Sequence, residues 1–325
     1  MENCLNHLTS GFTVDGLVQQ LINGLSLGSI YALIALGYSM VYGVLELINF
    51  AHGDVFMIGT FAVLGVVQRF GLTDQTSFVI VVPALLVAMI AAMALCGALG
   101  FTIEKIAYRP LRNAPRLAPL ISAIGVSFLL QAWVATYVSA NYFTLPNLIH
   151  GEIPILPDVS ISYVQILMFV ASFAMMFLLQ AVVRRTRLGR GMRAVAQDRD
   201  AAALMGVNMD RVVSFTFIIG SALAGVAAIL WTLNYSFNQT VGAIVGLKAF
   251  TAAVIGGIGS IPGAMLGGFL LGLAEALGAG YISNLTCGIF NSSYQNVFAF
   301  AFLILMLVFR PSGTVSYTHL TLPTI

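Results

Sequence analysis

Long apolar runs separated by short polar stretches extend along almost the whole chain. Runs of eighteen or more apolar residues recur, and each is long enough to cross a hydrocarbon core about 30 Å thick. The pattern therefore predicts an all-α polytopic membrane protein. The predicted spans are Leu17–Tyr38, Asp54–Phe70, Phe78–Phe101, Pro119–Ser139, Tyr163–Val183, Val212–Leu233, a glycine-broken region Ala249–Tyr281, and Val297–Phe309.

Composition supports the same class of protein. Of the 325 residues 59% are hydrophobic and only 8% are charged, and the mean hydropathy is +0.96. A soluble domain carries about 25% charged residues, so this chain lacks the charge to cover a water-facing surface. We expect a polar N-terminal segment, 1–16, one transmembrane domain, 17–313, and a short tail, 314–325.

Two basic loops predict the orientation in the membrane. The chain has 14 Lys and Arg, of which four fall in loop 102–117 and seven in loop 184–211. Short loops rich in Lys and Arg stay on the cytoplasmic side, so both loops are predicted to face inward. The segment between them, 140–162, has neither residue and is predicted to lie outside, as is the N-terminus. The spans number eight if the glycine-rich region crosses once, and nine if it crosses twice.

The densest polar cluster inside the apolar pattern is the stretch E-L-I-N-F-A-H-G-D, which contains Glu46, Asn49, His52 and Asp54. A charge at the bilayer centre costs about 2.5–3.5 kcal/mol on insertion scales. One interpretation is a hydrated loop at the cytoplasmic interface. The other is a broken helix or re-entrant turn that lines a substrate pathway, since irregular backbone at depth needs protein or water around it. One histidine among carboxylates is a weak metal signature, and we predict no metal site.

The glycine-rich stretch K-A-F-T-A-A-V-I-G-G-I-G-S-I-P-G-A-M-L-G-G-F-L-L-G predicts a helix interrupted at 256–262. The glycines around Gly257 and Gly259 are not followed by the lysine that a phosphate-binding loop requires. We therefore predict no nucleotide site. Broken helices can present backbone groups to a zwitterionic substrate, but consecutive G-x-x-x-G pairs also serve helix packing alone. Glu275, on the following helix, lies either near an interface or in the pathway.

Loop 184–211 is basic, amphipathic and long for an intracellular connection. It could bind anionic lipid headgroups or a cytoplasmic partner, and the alternation of Arg with Asp198, Asp200 and Asp210 slightly favours a protein partner. Within it, Asp200-Ala201-Ala202 followed by Gly206 matches the E-A-A-x-x-x-G motif of importer permeases, with Asp in place of Glu.

Several longer strings resemble the permeases of branched-chain amino acid ABC importers, specifically the H-type (LivH-like) subunit. They are N-G-L-S-L-G-S-I-Y-A-L-I-A-L-G-Y-S-M-V-Y-G at 23–43, I-N-F-A-H-G-D at 48–54, A-Y-R-P-L-R at 107–112, L-I-S-A-I-G at 120–125 and K-A-F-T-A-A-V-I-G-G-I-G-S-I-P-G-A at 248–264. In that family the E-A-A motif forms a coupling helix that sits in a cleft of the ATPase. The resemblance therefore implies a coupling role for Asp200, Ala201, Ala202 and Gly206, and we include Arg193 of the same loop.

The resemblance also implies the substrate and the partners. We expect import of leucine, isoleucine and valine across the bacterial inner membrane, with substrate delivered by a periplasmic binding protein. A second, M-type permease would complete the pathway and two cytoplasmic ATPases would hydrolyse the ATP, so no enzymatic activity, cofactor or nucleic acid is expected. The pathway candidates are Glu46, Asn49, His52, Asp54, Gly257, Gly259 and Glu275.

Three alternative functions stay open, and the C-terminal tail differs from the pattern of the family. Related permeases carry other amino acids or urea, and a channel or secondary transporter would work without ATPases. A membrane enzyme using His52, Asp54 and Glu46 as acid–base groups would need a nucleophile or metal set that the sequence lacks.

The tail from Thr314, T-V-S-Y-T-H-L-T-L-P-T-I, departs from the short charged end usual in the family and resembles translated sequencing-adapter read-through. We therefore exclude it from functional reasoning.

Overall fold

The computed structural model describes residues 13–112, 114–115, 117–285 and 295–309. The predicted N-terminal segment up to residue 12 and the tail from Thr314 lie outside these ranges. The helices are α1 Val14–Leu45, α2 His52–Arg69, α3 Phe78–Ile103, α4 Leu117–Tyr137, α5 Tyr163–Arg185, α6 Arg187–Gln197, α7 Arg199–Leu204, α8 Met209–Thr232, α9 Val241–Gly256, α10 Ile261–Leu285 and α11 Gln295–Phe309.

Six of the described helices are long and apolar enough to cross a membrane, which makes the chain a multi-pass membrane protein. They are α1, α3 with its π-helical and 3-10 continuation to Leu111, α4, α5, α8 and α10. The predicted all-α class is confirmed. The number of crossings, eight or nine, stays a prediction because α2, α9 and α11 fall outside that group of six.

Helices α1 and α8 form the centre of the molecule. In the apolar stretch of α1 94% of the residues are buried, and in α8 78% are, against 28%, 22% and 17% in α3, α4 and α5. The latter three present many large apolar side chains at the surface, among them Phe128, Phe173 and Phe177. Since such a surface is costly in water, these three helices form the face that suits lipid or another apolar partner.

Glycines bring α1 and α10 into close contact. A Cβ on Gly28 would lie 2.8 Å from the carbonyl oxygen of Gly268, and one on Gly272 would lie 2.4 Å from that of Gly24. Real Cβ atoms do not approach backbone so closely, so the two helices can pack only without side chains at these points. The Gly268/Gly272 pair of the glycine-rich stretch therefore lies in this helix contact.

The predicted interruption of the glycine-rich region is also confirmed, although its first helix begins earlier than predicted. Helix α9 ends at Gly256 and α10 begins at Ile261, with positive φ angles of 94° at Gly257 and 92° at Gly259 in the turn between them. The sequence suggested a start at Ala249, whereas α9 starts at Val241. Helix α9 therefore runs through Lys248, whose charge is paired with Glu275 inside the bundle.

The chain folds back on itself between α1 and α2. Glu46 ends α1 in the left-handed conformation, with φ 54°, and α2 begins at His52. The His52 ring lies against Gly37, where a Cβ would be 2.4 Å from Nε2. Gly37 is eight residues before the end of α1, which corresponds to about 12 Å along a helix. Segment 46–51 therefore has the geometry of a re-entrant turn.

The segment predicted to lie outside contains a small sheet that the sequence did not indicate. Strands β1 Glu152–Leu156 and β2 Val159–Ser162 pair antiparallel, with Glu152 opposite Ser162. Asp158 lies in the connection between them, and Ser162 caps the following helix α5 through a capping box with Gln165. This hairpin therefore sets the point at which α5 begins.

Candidate functional site

The predicted coupling residues lie on two short helices that are capped by their own sequence. Thr186 Oγ1 accepts the Gly189 N–H at 3.0 Å at the start of α6. Asp198 Oδ1 accepts the N–H groups of Asp200 and Ala201, both at 2.9 Å, at the start of α7. Such caps satisfy backbone donors that have no partner within the helix. Asp198 therefore holds the D-A-A stretch helical from its first residue.

Gly206 closes α7 through the hydrogen-bond pattern of a Schellman motif. Its N–H donates to the Ala203 carbonyl and the Val207 N–H donates to the Ala202 carbonyl, both at 3.0 Å. Gly206 has a φ of 81°, which residues with a Cβ adopt only with strain. The motif thus requires glycine at position 206 because the backbone there is left-handed. The adjoining Leu204 and Met205 are 88% and 84% exposed.

Two arginines attach this surface to the transmembrane helices. The Arg193 guanidinium donates to the Val183 carbonyl near the end of α5, and that of Arg199 donates to the Leu45 carbonyl at the end of α1. Asp200, Ala201 and Gly206 are exposed while Ala202 is buried. Arg193 thus links α6 to α5, and Arg199 links α7 to α1.

An ionic cluster that the sequence did not predict joins the two basic loops. Arg112 bridges the buried Glu104 and Asp210, with an Nη1–Oδ1 distance of 2.6 Å to Asp210. Arg109 lies 3.1 Å from Asp210, and Ser214 Oγ donates to Glu104 at 2.7 Å. The protein partner that the alternation of Arg with Asp198, Asp200 and Asp210 favours stays a prediction, although two of these carboxylates are engaged within the chain. Asp198 caps α7 and Asp210 pairs within the chain.

Three of the four polar residues at the re-entrant turn are buried, and Glu46 is exposed. Asn49 Oδ1 accepts from the Ala51 N–H at 3.1 Å and from the Tyr108 hydroxyl at 3.2 Å. The His52 ring meets that of Tyr38 edge-on, at 4.7 Å between centroids. The hydrated-loop interpretation consequently fits Glu46 but is wrong for the other three.

Asp54 faces helix α4 across the start of α2. The buried carboxylate accepts from the Ser127 hydroxyl and, at 3.0 Å, from Gln131 Nε2. A Cβ on Gly242 would lie 2.7 Å from Asp54 Oδ1, so the start of α9 also closes on this carboxylate. Asp54 thus connects α2, α4 and α9 through hydrogen bonds and close packing.

The remaining pathway candidates lie in two different places. Gly259 lies in the α9–α10 turn beside a cavity of about 130 Å³ that it shares with Gly43, Met192 and Arg193, and Gly257 lies in the same turn. Glu275, in contrast, is buried on α10 and forms an ion pair with Lys248 of α9. A second cavity, of about 450 Å³, opens over this ion pair and is lined also by Tyr31, Trp231 and Tyr235.

Comparison with known proteins identifies the family. A family model described as "Branched-chain amino acid transport system / permease component" matches residues 20–307. The high-affinity branched-chain amino acid transport system permease protein BraD of Pseudomonas aeruginosa is 47% identical over 302 residues, covering 91% of this chain and 94% of that protein. LivH of Escherichia coli K12, described in the same words, is 43% identical with the same coverage.

The chain belongs to the branched-chain amino acid transport system permease family. Among solved structures, a chain of an ABC transporter described as inward-facing and of the metal-chelate type aligns over 95% of both chains, at a TM-score of 0.48 and 16% identity. Membership of the permease family rests on the family model and on the curated relatives.

In this permease, sequence reasoning missed Lys248, Glu104 and Tyr31. A signal existed for Lys248, which is a single charge inside the apolar stretch V-G-L-K-A-F-T-A-A-V and therefore costly in a membrane without a partner. Glu104 was hidden because it follows directly on an apolar helix within a basic loop. Tyr31 lies in an apolar run, and only its place beside Lys248, with Nζ 5.7 Å from the ring centroid, singles it out.

Proposed function

We propose that this permease is the H-type membrane subunit of an ABC importer that moves leucine, isoleucine and valine into the cytoplasm. Separate subunits hydrolyse the ATP. The observation that carries the proposal is the α6–α7 surface, which presents Asp200 and Ala201 to solvent and is tied to α1 and α5 by arginine contacts. The printed descriptions of BraD and LivH as high-affinity branched-chain amino acid permeases support the substrate class.

The proposed partners are two cytoplasmic ATPases, an M-type permease and a periplasmic binding protein, in the bacterial inner membrane. Loops 102–117 and 184–211 lie at one end of the molecule, as the Arg112–Asp210 contact requires. A combined basic surface at one end supports a cytoplasmic location for that end. The exposed Leu204 and Met205, beside Asp200, would insert into a cleft of an ATPase.

The proposed mechanism is alternating access. When the ATPases close on bound ATP they shift α6 and α7, and the Arg193 and Arg199 contacts pass this movement to α5 and α1. The transmembrane helices then rearrange around a central path. Substrate must bind the two states with different affinity for any such shift to occur. The proposed pathway residues are Glu46, Asn49, His52, Asp54, Gly257, Gly259 and Glu275, of which the buried members face several helices that would move.

The test is reconstitution of the four membrane-associated subunits in proteoliposomes, with the binding protein supplied on the loading side. We expect co-purification of two ATPases and uptake of leucine in preference to alanine and urea. Asp200→Lys should lower leucine uptake at least tenfold and weaken ATPase association, while the protein still inserts into the membrane. Asp158→Lys, the same change at the exposed turn between β1 and β2, is the matched control and should leave both unchanged.

Each rival has its own outcome in that experiment. Uptake without co-purifying ATPases would favour a channel or secondary transporter. Preference for alanine or urea over leucine would keep the importer but change the substrate. Unchanged uptake and unchanged ATPase association in Asp200→Lys would contradict the proposed coupling surface.

A further inference from the structure

The ion pair between α9 and α10 is buried in the protein but adjoins open space. The side chain of Lys248 is 7% exposed and that of Glu275 is 0% exposed. The cavity of about 450 Å³ above them also reaches Gln20 and Ser236, which are only partly buried or exposed. Its volume is in the range of small-molecule sites, which is about 300–1,000 Å³. The pair therefore lies at the bottom of a pocket that a small ligand can enter.

A stabilising role alone accounts poorly for this pair. Removing two charges from water is costly, and replacing a buried ion pair by apolar residues is often neutral or stabilising. The neighbouring positions on α9 and α10 are apolar, so an uncharged pair would pack in the same place. Ionisable residues inside a membrane domain most often mark a substrate or ion pathway.

The walls of the cavity match the other half of an amino acid. Tyr31, Trp231 and Tyr235 supply aromatic faces, and Trp231 and Tyr235 pack together with ring centroids 4.7 Å apart. The indole N–H of Trp231 donates to the Ser236 carbonyl at 3.1 Å, which leaves the ring as an apolar wall. Leu27 and Ala276 add aliphatic surface. The cavity thus combines one positive group, one negative group and an apolar wall.

We propose that Lys248 and Glu275 bind the zwitterion of a free aliphatic α-amino acid in this cavity. The ammonium group of Lys248 binds the substrate carboxylate, the carboxylate of Glu275 binds the substrate α-ammonium group, and the aromatic wall contacts the aliphatic side chain. In the empty cavity the two protein charges neutralise each other. In the loaded cavity each binds the opposite charge of the substrate, so no net charge is buried in either state.

This exchange of partners gives the site its selectivity. A zwitterion satisfies both protein charges, whereas urea has no charge with which to replace either partner. An amino acid with a charged side chain would leave one charge against the aromatic wall, which costs free energy in a desolvated site. The inference rests on the proposed function, because it assigns the substrate of that importer to a place in this chain.

The test uses the complete reconstituted importer with leucine-loaded binding protein at saturating concentration. Lys248→Met and Glu275→Gln should each lower the initial rate of leucine uptake at least tenfold, while both ATPase subunits still co-purify with the permease. Lys105→Met removes an exposed lysine that lies over Phe101 and is the matched control, with unchanged uptake expected. Wild-type uptake in Glu275→Gln would overturn the inference.

The double variant Lys248→Glu/Glu275→Lys separates binding from structure. A pair that serves structure alone is restored by the exchange and predicts wild-type uptake, which would overturn the inference. The proposal predicts uptake at least tenfold lower, because a substrate bound in reverse points its side chain away from the aromatic wall. If instead the wild-type importer moves no leucine, the proposed function fails, and the binding site is judged by the next measurement.

Binding can be measured without changing the ion pair. The chain contains two tryptophans, and Trp231 lies in the wall of this cavity. Leucine added to the detergent-solubilised complex without binding protein should change a fluorescence signal that is present in wild type and lost in Trp231→Phe. Urea at equal concentration should leave that signal unchanged. No leucine-dependent signal attributable to Trp231 at any concentration up to tens of millimolar would overturn the inference.

Discussion

Individual residues on the α6–α7 surface have roles that follow from backbone geometry. Gly206 reverses the chain after α7 in a left-handed conformation, and Asp198 caps the same helix at its other end. A helix of six residues is too short to be stable by itself, so its two ends decide whether the surface exists. The motif D-A-A-x-x-x-G is therefore a short helix that is capped by Asp198, two residues before the motif, and ends at the glycine of the motif.

Gly206→Ala should uncouple transport partially by straining this stop. A Cβ in the left-handed region costs about 1–2 kcal/mol, enough to fray α7 without affecting the transmembrane helices. We expect leucine uptake by the reconstituted importer to fall several-fold while the yield of membrane-inserted protein is unchanged. Gly65→Ala is the control, because Gly65 is helical and a methyl group there would have no atom of another element within 4 Å. Equal uptake by both variants would contradict this role of Gly206.

At the scale of elements, the contact between α1 and α10 depends on glycines, which have no side chain to hold the two helices apart. Carbonyl oxygens and Cα atoms of the two helices lie where side chains would otherwise be, at Gly24, Gly28, Gly268 and Gly272. Without a hydrophobic driving force between helices in lipid, this close van der Waals contact is a main source of association. The same two helices also carry Tyr31 and Glu275, so the contact sets the geometry of the cavity as well.

Gly272→Leu should separate α1 from α10. The first added carbon would lie 2.4 Å from two backbone atoms of α1, and overpacking of this kind costs about 1–3 kcal/mol or more. We expect a lower melting temperature and a reduced monodisperse fraction in detergent size-exclusion chromatography. Gly125→Leu, on the open face of α4, should behave like wild type. A wild-type melting temperature for Gly272→Leu would show that the helices do not pack as described.

At the scale of the whole molecule, polar structure is divided between two ends. The β-hairpin and the cavity over Lys248 and Glu275 lie towards the end where α1 begins. The α6–α7 surface and the Glu104–Arg112–Asp210 cluster lie at the end where α1 stops, as the Arg199–Leu45 contact places them. The proposed orientation assigns the first end to the periplasm and the second to the cytoplasm.

Cysteine labelling should confirm that assignment in intact cells. In a background with Cys4, Cys96 and Cys287 replaced by serine or alanine, Asp158→Cys should react with a membrane-impermeant maleimide added from outside. Asp200→Cys should react only after the cells are opened. Both positions are exposed in this chain, so in cells that express the permease without its ATPases accessibility depends on the side of the membrane alone. The reverse pattern would invert the orientation and exclude ATPase docking at α7.

Much of this architecture could be predicted from local sequence, and the failures share one physical cause. Apolar runs predicted the central helices, and glycine with proline predicted the break before α10, because both signals are local. The start of α9 was missed because Lys248 is neutralised by Glu275, which lies 27 residues later. Burial of Asn49 and Asp54 likewise depends on Tyr108, Ser127 and Gln131, distant partners that no local pattern contains.

The candidate sites divide in the same way. The D-A-A-x-x-x-G stretch could be found from seven adjacent letters through its resemblance to the E-A-A motif, and the Asp198 cap lies only two residues before it. The sequence could not decide between a hydrated loop and a re-entrant turn at 46–51. The burial of this segment depends on Gly37 of the preceding helix, which makes room for the His52 ring. The zwitterion cavity was not predictable, because its two charges and its aromatic wall come from four separate segments.

The close packing of α1 on α10 has a consequence for how the protein is made. Helix α1 leaves the ribosome more than 200 residues before α10, which at a synthesis rate of about 5–20 residues per second is a delay of roughly 10–40 s. During that time the glycine face of α1, at Gly24 and Gly28, has no native partner. Chains that stop short of α10 would keep this face open within the bilayer, where quality-control proteases could recognise them as incomplete.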